Sequence, residues 1–151
     1  MFYHGNKLIL DNYKIGFLCS RKVPANIILK TYDWAIKQRD NNICVVSGFH
    51  SKIEKDVLDI LIKGKQPIIL LLARGLKQRW DSSIKDELKK ERLLIISPFQ
   101  TKVKRITSES SLVRNKTIIE MSDKVYVPFA NEGGQIEKLK EFYQPKQIKE
   151  K

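Results

Sequence analysis

Two cysteines and two histidines are the whole stock of soft metal ligands in this chain of 151 residues. Cys19, Cys44, His4 and His50 lack the paired spacing of a zinc site, so no metal is expected. Two cysteines are also too few for a disulfide framework. Both lie in apolar, strand-like runs, which fits buried, reduced thiols in a cytosolic protein. Long hydrophobic runs are missing too. The longest, residues 67–73, suits a buried strand and falls far short of a membrane span, and Leu8-Ile9-Leu10 is too short for the core of a signal peptide. No Gly-x-Gly-x-x-Gly occurs, so the usual dinucleotide fingerprint is absent. Acidic residues are in deficit: 17 Asp and Glu stand against 29 Lys and Arg, a net charge of +12. That excess points to a polyanionic partner, because Lys and Arg contacts release its counterions. Solvated surface lysines are the plainer alternative.

What the chain does have is a regular alternation. The length fits one domain with a real core. Residues 14–19 read as a first strand, followed by a loop at 20–24 and a helix begun by Pro24, with Ile28, Tyr32, Ala35 and Ile36 on one face. Ile43-Cys44-Val45-Val46 is a second strand, ended by Ser47-Gly48. Ile53, Val57, Ile60 and Leu61 mark a second helix that closes near Gly64. Residues 68–72 form a third strand, apolar enough to be covered on both faces. Ser82 or Ser83 is expected to cap a short helix to about Glu91, before a fourth strand at 93–96. Ser110 or Ser111 is expected to cap a helix through Met121. Val125-Tyr126-Val127 is a fifth strand, and Gly133-Gly134 opens the last helix. This pattern predicts an α/β fold: a Rossmann-like, mostly parallel sheet with helices on both faces. The domain is placed at residues 14–143. Residues 1–13 form an N-terminal extension in which Phe2, Tyr3, Leu8 and Leu10 add an edge segment or pack on a partner. Residues 144–151 form a short, frayed basic tail.

In such sheets ligands bind beyond the carboxyl ends of the strands, where most of the notable polar loops here lie. Ser20-Arg21 follows the first strand and reads either as an anion cradle at a helix start or as a cap with a surface arginine. Ser47-Gly48 reads as a close backbone approach to phosphate or ribose, or as a plain turn, with Lys52 adding charge. His50 is given no role. Arg74-Gly75 follows the third strand. Trp80, just beyond it, stacks on a base or packs over a helix end. Arg114-Asn115-Lys116 falls early in a helix, where it binds phosphate and a base edge or forms an exposed polar face. Gly133-Gly134 again suits backbone approach to an anion, and the neighbouring Glu132 and Glu137 read as helix-start carboxylates.

Taken in order, these loops resemble the Rossmann-like domain of the DNA-processing protein A (DprA/Smf) family. That family shows a Gly-Ser-Arg loop, a Ser-Gly-x-Ala-x-Gly-Ile-Asp stretch, a Gly-x-Gly-Leu-Asp loop, an Arg-Asn-Arg-x-Ile helix and a Ser-Gly pair before the last helix. The counterparts here are Cys19-Ser20-Arg21, Ser47-Gly48-Phe49-His50-Ser51-Lys52-Ile53-Glu54, Ala73-Arg74-Gly75-Leu76-Lys77, Arg114-Asn115-Lys116-Thr117-Ile118 and Gly133-Gly134. The likeness runs over residues 14–139. It departs at Cys19 and Lys52, where the family has glycine, at Glu54 for Asp, and at Lys116 for Arg. The resemblance implies single-stranded DNA binding, self-association as a homodimer and loading of a recombinase. The motifs themselves display no recombinase surface. At this length the chain reads as a stand-alone relative without the helical and winged-helix domains that many members carry. The LOG-type phosphoribohydrolases resemble this fold too, but their Gly-Gly-x-Gly-Thr-x-x-Glu loop differs from Gly133-Gly134-Gln135-Ile136-Glu137.

The first expectation is a cytoplasmic, non-catalytic module that binds single-stranded DNA without a cofactor, with Arg21, Lys52 and Arg114 as main anchors. The second is a nucleotide sensor or nucleotide hydrolase, in which the glycine loops outweigh the distributed lysines. The third is a structural partner whose charge serves solubility.

Overall fold

A computed structural model of the chain describes residues 1–143 and, as backbone, the short strand Ile148–Lys149. The frayed tail expected at 144–151 otherwise lies outside the described residues. Seven strands form one sheet: β1 (Phe2–Gly5), β2 (Lys14–Phe17), β3 (Cys44–Ser47), β4 (Ile68–Leu71), β5 (Leu93–Ser97), β6 (Lys124–Tyr126) and β7 (Ile148–Lys149). Their order is β1-β5-β4-β3-β2-β6-β7. All neighbours are parallel except β1, which runs antiparallel along β5 and pairs Phe2 with Ser97 and Gly5 with Leu94. The strands are short, apolar runs, so consecutive residues alternate between two buried faces.

Five helices cover those faces: α1 (Ala25–Asp40), α2 (Lys52–Ile62), α3 (Ser82–Lys89), α4 (Ser108–Met121) and α5 (Gln135–Phe142). On one side Phe17, Val45, Ile68, Leu70 and Ile95 pack against Ala35 of α1, Val57 and Leu61 of α2, and Ile84 of α3. On the other, Leu18, Val46, Ile69, Leu71 and Ile96 meet Ile118 and Ile119 of α4, Leu139 of α5, and Ile9 of a 3-10 turn at Lys7–Asp11. Each such side chain, removed from water on folding, contributes about 2 kcal/mol. The architecture is the Rossmann-like sheet that the alternation predicts, with β1 as an added edge strand.

Local details differ from the sequence reading. Strand β2 ends at Phe17, and Leu18 and Ser20 continue by donating backbone N–H groups to Tyr126 and Phe129 rather than to β3. Asp81, not Ser82 or Ser83, caps α3, accepting from the Ile84 amide. Thr107, not Ser110 or Ser111, caps α4. Ser110 is the other half of that capping box: its amide donates to Thr107 Oγ1 at 3.0 Å, and its Oγ accepts from the Thr107 amide at 2.8 Å. In both cases the cap is the last residue with extended backbone, and the serines behind it already have helical geometry. Ile36, expected on the buried face of α1, is exposed, since Thr31 and Ala35 turn inward instead.

One polar knot holds the sheet to α2. The half-buried Arg92 donates to the carbonyls of Leu61, Ile62 and Gln66 and pairs with buried Glu87 at 2.8 Å. It thereby satisfies carbonyls left open at the C-terminal end of α2. Arg92→Met leaves the Glu87 carboxylate with Lys90 at 3.4 Å as its remaining ion-pair partner and takes the guanidinium from the Ile62 and Gln66 carbonyls. Urea denaturation should show a loss of about 3 kcal/mol. A loss below about 1 kcal/mol would mean that water replaces the guanidinium there.

Candidate functional site

The loops after β2, β3 and β6 open at the same end of the sheet, beside the point where the chain, having built outward from β2 through β5, returns to add β6 on β2's other edge. A crevice must open where neighbouring connections diverge to opposite faces. Here it is a groove of about 690 Å³. Ser20, Arg21 and Lys22 supply one wall, and His50, Ser51 and Glu54 the next. Ser108, Ser111, Arg114 and Asn115 from α4 face Asn131, Gly134 and Gln135 at the start of α5.

Arg114 is the centre of this arrangement. It is only 8% exposed. Its Nε donates to Asn115 Oδ1 at 3.2 Å, and Asn115 in turn donates to Gln135 Oε1 at 2.7 Å, which ties α4 to α5. Among the described residues no carboxylate lies within ion-pair distance of its guanidinium. Burial pushes the Arg114 pKa down, Glu54 acting through space opposes this, and Arg21 adds to it. A guanidinium still keeps its proton in a protein. The result is a dehydrated cation short of a negative partner, facing a groove.

Gly48 explains how Arg114 fits. A Cβ at Gly48 would lie 2.8 Å from Cζ, Nε and Nη1 of Arg114, so the guanidinium lies where a side chain would otherwise be. The sequence reading leaves this glycine as a close approach to a ligand or a plain turn; in the structure it makes room for the Arg114 guanidinium. Glu54 is bound locally as well. Its Oε1 accepts from the His50 and Ser51 amides at 2.9 and 3.1 Å, closing a capping box with Ser51 at the start of α2. It is therefore fixed as a background charge behind Arg114. At α5 the N-cap is Gly134, which offers no capping side chain, so the first amides of that helix are left toward the groove.

The remaining sequence-selected residues divide cleanly. Ser20, Arg21, Arg114, Asn115 and Gly134 line the groove. Arg21 is exposed, whereas Ser20 Oγ accepts from the Asn131 amide at 2.8 Å and joins the β2 and β6 loops. Ser47 is wholly buried and its Oγ accepts from the Phe49 amide. Lys52 projects into solvent and pairs with Asp56 at 2.7 Å, one helical turn on. Lys116 lies on another face, its ammonium 6.0 Å from the Phe142 ring centroid. Gly75 packs against the Gln100–Thr101 backbone, and Gly133 takes φ 74°, where glycine is favoured, without lining the groove. Arg74 and Gly48 line a second cavity, of about 500 Å³, on the far side of Arg114.

Several groove residues are given no part in a site by the sequence reading: His50, Ser108, Ser111 and Gln135. Only His50 carried a visible signal, its place in the loop after β3. Loss of hydration lowers its pKa, as do Arg114, Lys55 and Arg21, while Glu54 works the other way. Among the described residues no three or more His, Cys, Asp and Glu side chains gather as a metal site. Nor is any described helix long and apolar enough to cross a membrane.

A doubly wound sheet with a cationic crevice over its carboxyl ends defines a Rossmann-like domain. The chain belongs to the DNA recombination-mediator protein A family, whose profile matches residues 1–138. Among solved structures it is similar to DNA processing protein A from Helicobacter pylori, with 21% identity and a TM-score of 0.76 over 98% of this chain and 69% of that one. That protein is described as having a unique single-stranded DNA binding mode. It is similar also to DNA processing protein A from Streptococcus pneumoniae, with 18% identity and a TM-score of 0.77 over 99% of this chain. The chain spans 53% of the length of that second protein. A more distant likeness in fold is to the molybdenum cofactor (Moco) carrier protein from Chlamydomonas reinhardtii, at 10% identity and a TM-score of 0.56 over 92% of this chain and 75% of that one. No curated protein sequence matches.

The Gly48 contact yields a test that separates site from fold. Gly48→Ala must push the flexible end of Arg114 out of its seat while leaving the backbone in place. Without ligand the melting temperature should fall by no more than about 4 °C. The stabilisation conferred by added pyrophosphate on the parent protein should disappear. If the variant keeps that stabilisation, Arg114 does not need its present position to hold an anion.

Proposed function

We propose that this chain binds single-stranded DNA through its phosphates, without chemistry on it, as a DNA-processing module in the cytoplasm. The observation that carries the reading is Arg114: a cation 8% exposed, with no carboxylate partner, open to a groove that Arg21 and Lys22 also line. The free amides at the start of α5 add a neutral anion-binding wall. The family and the H. pylori relative support DNA as the polyanion. These contacts address phosphate and carry no base information, which fits a protein that binds without sequence preference.

The hydrolase alternative loses support at α5. Glu137, the first carboxylate after the glycine pair, accepts from the Gly133 amide at 2.8 Å and is spent on holding its own loop. Of the three anchors expected from sequence, Arg21 and Arg114 remain; Lys52 is neutralised by Asp56 and belongs to the solvated charge. Self-association as a homodimer and recombinase loading rest on the resemblance to the family alone.

Fluorescence anisotropy of a labelled single-stranded oligonucleotide, titrated across a salt series with duplex DNA and mononucleotides as competitors, tests the reading. Arg114→Ala should weaken binding and reduce the slope of log affinity against log salt by about 0.7, one phosphate's share for a single strand. An unchanged slope removes Arg114 from the phosphate contacts. Displacement by a low concentration of one mononucleotide returns the nucleotide-sensor reading.

His50 makes the same titration depend on pH. In the free protein loss of hydration, and after it the charges of Arg114, Lys55 and Arg21, keep its pKa below the ordinary 6.5. A phosphodiester seated by Arg114 cancels that repulsion, so the pKa is higher in the complex and binding takes up a proton. Affinity should therefore rise as the pH falls from neutral into the range where His50 takes up its proton, while the phosphodiester itself does not titrate there. His50→Gln should flatten that rise. A flat profile in the parent protein would place the phosphate away from His50.

A further inference from the structure

The second cavity, floored by Leu58, Leu70, Leu72 and Ile84 with the Trp80 indole at its side, shares Arg114 with the groove. A third hollow does not. It lies between α4 and α5, measures about 460 Å³, and has only Gln135 in common with the groove. Leu112 of α4 and Leu139 of α5 line it, together with Phe142 in the last turn of α5, which stands 73% exposed. Lys116 and Lys138 complete the lining, and no carboxylate is part of it. Among the described residues neither ammonium has an ion-pair partner. The hollow thus differs from the solvated faces of α1 and α2, where Arg39 and Lys52 meet acids of their own helix.

Charge and shape select what covers it. The chain's own last residues carry Lys146, Lys149 and Lys151 against Glu150, the wrong sign for two lysines. A second copy on a two-fold axis through the hollow would set Lys116 and Lys138 against their own counterparts, in a chain already at +12. A nucleic acid strand would satisfy the lysines, but its bases need aromatic faces to stack on. The aromatic ring in this lining already has Lys116 at 6.0 Å from its centroid and Tyr143 edge-on at 5.1 Å, and the rest of the floor is aliphatic. A peptide that brings carboxylates to the rim and an apolar side chain to the floor meets both halves of the surface. The volume falls in the range of small-ligand sites, so a short extended segment fills it.

We infer that the hollow between α4 and α5 docks an acidic segment of a partner protein, which seats an apolar side chain among Leu112, Leu139 and Phe142 and sets carboxylates against Lys116 and Lys138. The inference is independent of the phosphate-binding reading of the groove.

The probe is a labelled oligoglutamate peptide with a central pair of leucines, titrated against the full chain by fluorescence anisotropy. A control peptide of equal charge has alanines in place of the leucines. Phe142→Ala and Lys138→Ala are the variants, chosen because both side chains are exposed and neither lines the groove. The leucine peptide should bind, and the alanine peptide should bind about fivefold more weakly or worse. Each variant should lose about fivefold or more for the leucine peptide, as truncation of an interface anchor does, and keep the parent's affinity for a single-stranded oligonucleotide. If the two peptides bind alike, charge alone is recognised and the apolar seat is overturned. If both variants bind the leucine peptide as the parent does, the peptide lies elsewhere on the cationic surface and the proposal fails. If Phe142→Ala weakens the oligonucleotide as much as the peptide, and the oligonucleotide displaces the peptide, nucleic acid is the occupant and the peptide site is overturned. Absence of any leucine-peptide binding overturns it as well. None of these results bears on Arg114, whose own variant tests the groove.

Discussion

A buried guanidinium without a carboxylate partner is the constraint on which this site depends. Removing an ion from water costs several kcal/mol unless charge and hydrogen bonds replace what water gave. Around Arg114 the replacement is incomplete: one hydrogen bond to Asn115, and the charge of Glu54 acting only through space. Glu54 comes no closer because the amides of His50 and Ser51 hold it at the start of α2. A tight ion pair would have filled the need and closed the site. The geometry leaves the deficit to be met from the groove.

Net charge alone would mislead about where an anion goes. Several of the 29 Lys and Arg side chains are paired away from the groove: Lys52 meets Asp56, Arg92 meets Glu87, Lys90 reaches the same Glu87, and Arg39 lies on Asp40. What concentrates potential in the groove is dehydration and shape, since low-polarity walls strengthen a charge that bulk water would screen. Arg114 sits within helix α4, its position fixed by Ile118 and Ile119 packing beneath, while Arg21 and Lys22 stand on a loop. One preorganised cation with adaptable ones around it suits a ligand such as a strand, whose phosphates vary in position.

The sheet was legible in the sequence because its strands are short apolar runs between polar breaks, and that pattern survives without tertiary context. Helix starts were less so, because Asp81, Ser82 and Ser83, or Thr107, Ser110 and Ser111, carry the same capping chemistry and only backbone angles choose among them. In the site, the loops were found but several roles were not. Gly48 and Arg114 lie 66 positions apart, so nothing local shows that one vacates space for the other. Lys52 looked like a site cation until Asp56, one turn on, took its charge, and Lys116 is carried off by helical phase to the Phe142 side of α4. His50 was passed over because a lone loop histidine has no spacing to mark it. Its meaning comes from Arg114, Lys55, Arg21 and Glu54 around it.

The first residues of the chain bear on the site although none of them lines the groove. Strand β1 pairs with β5 at the sheet's edge, and Gly5 at φ 112° lies against the Leu93 carbonyl, where a Cβ would collide. That fit fixes the register, and the register places His4 beside Trp80. The edge strand thus covers one margin of β5 and at the same time stiffens the aromatic wall of the second cavity. An indole on the loop after β4 would otherwise sample many positions. The groove lies where the sheet's connections diverge. The rigidity of the neighbouring apolar cavity follows instead from an edge strand added outside the parallel core, so the two cavities draw on different parts of the chain.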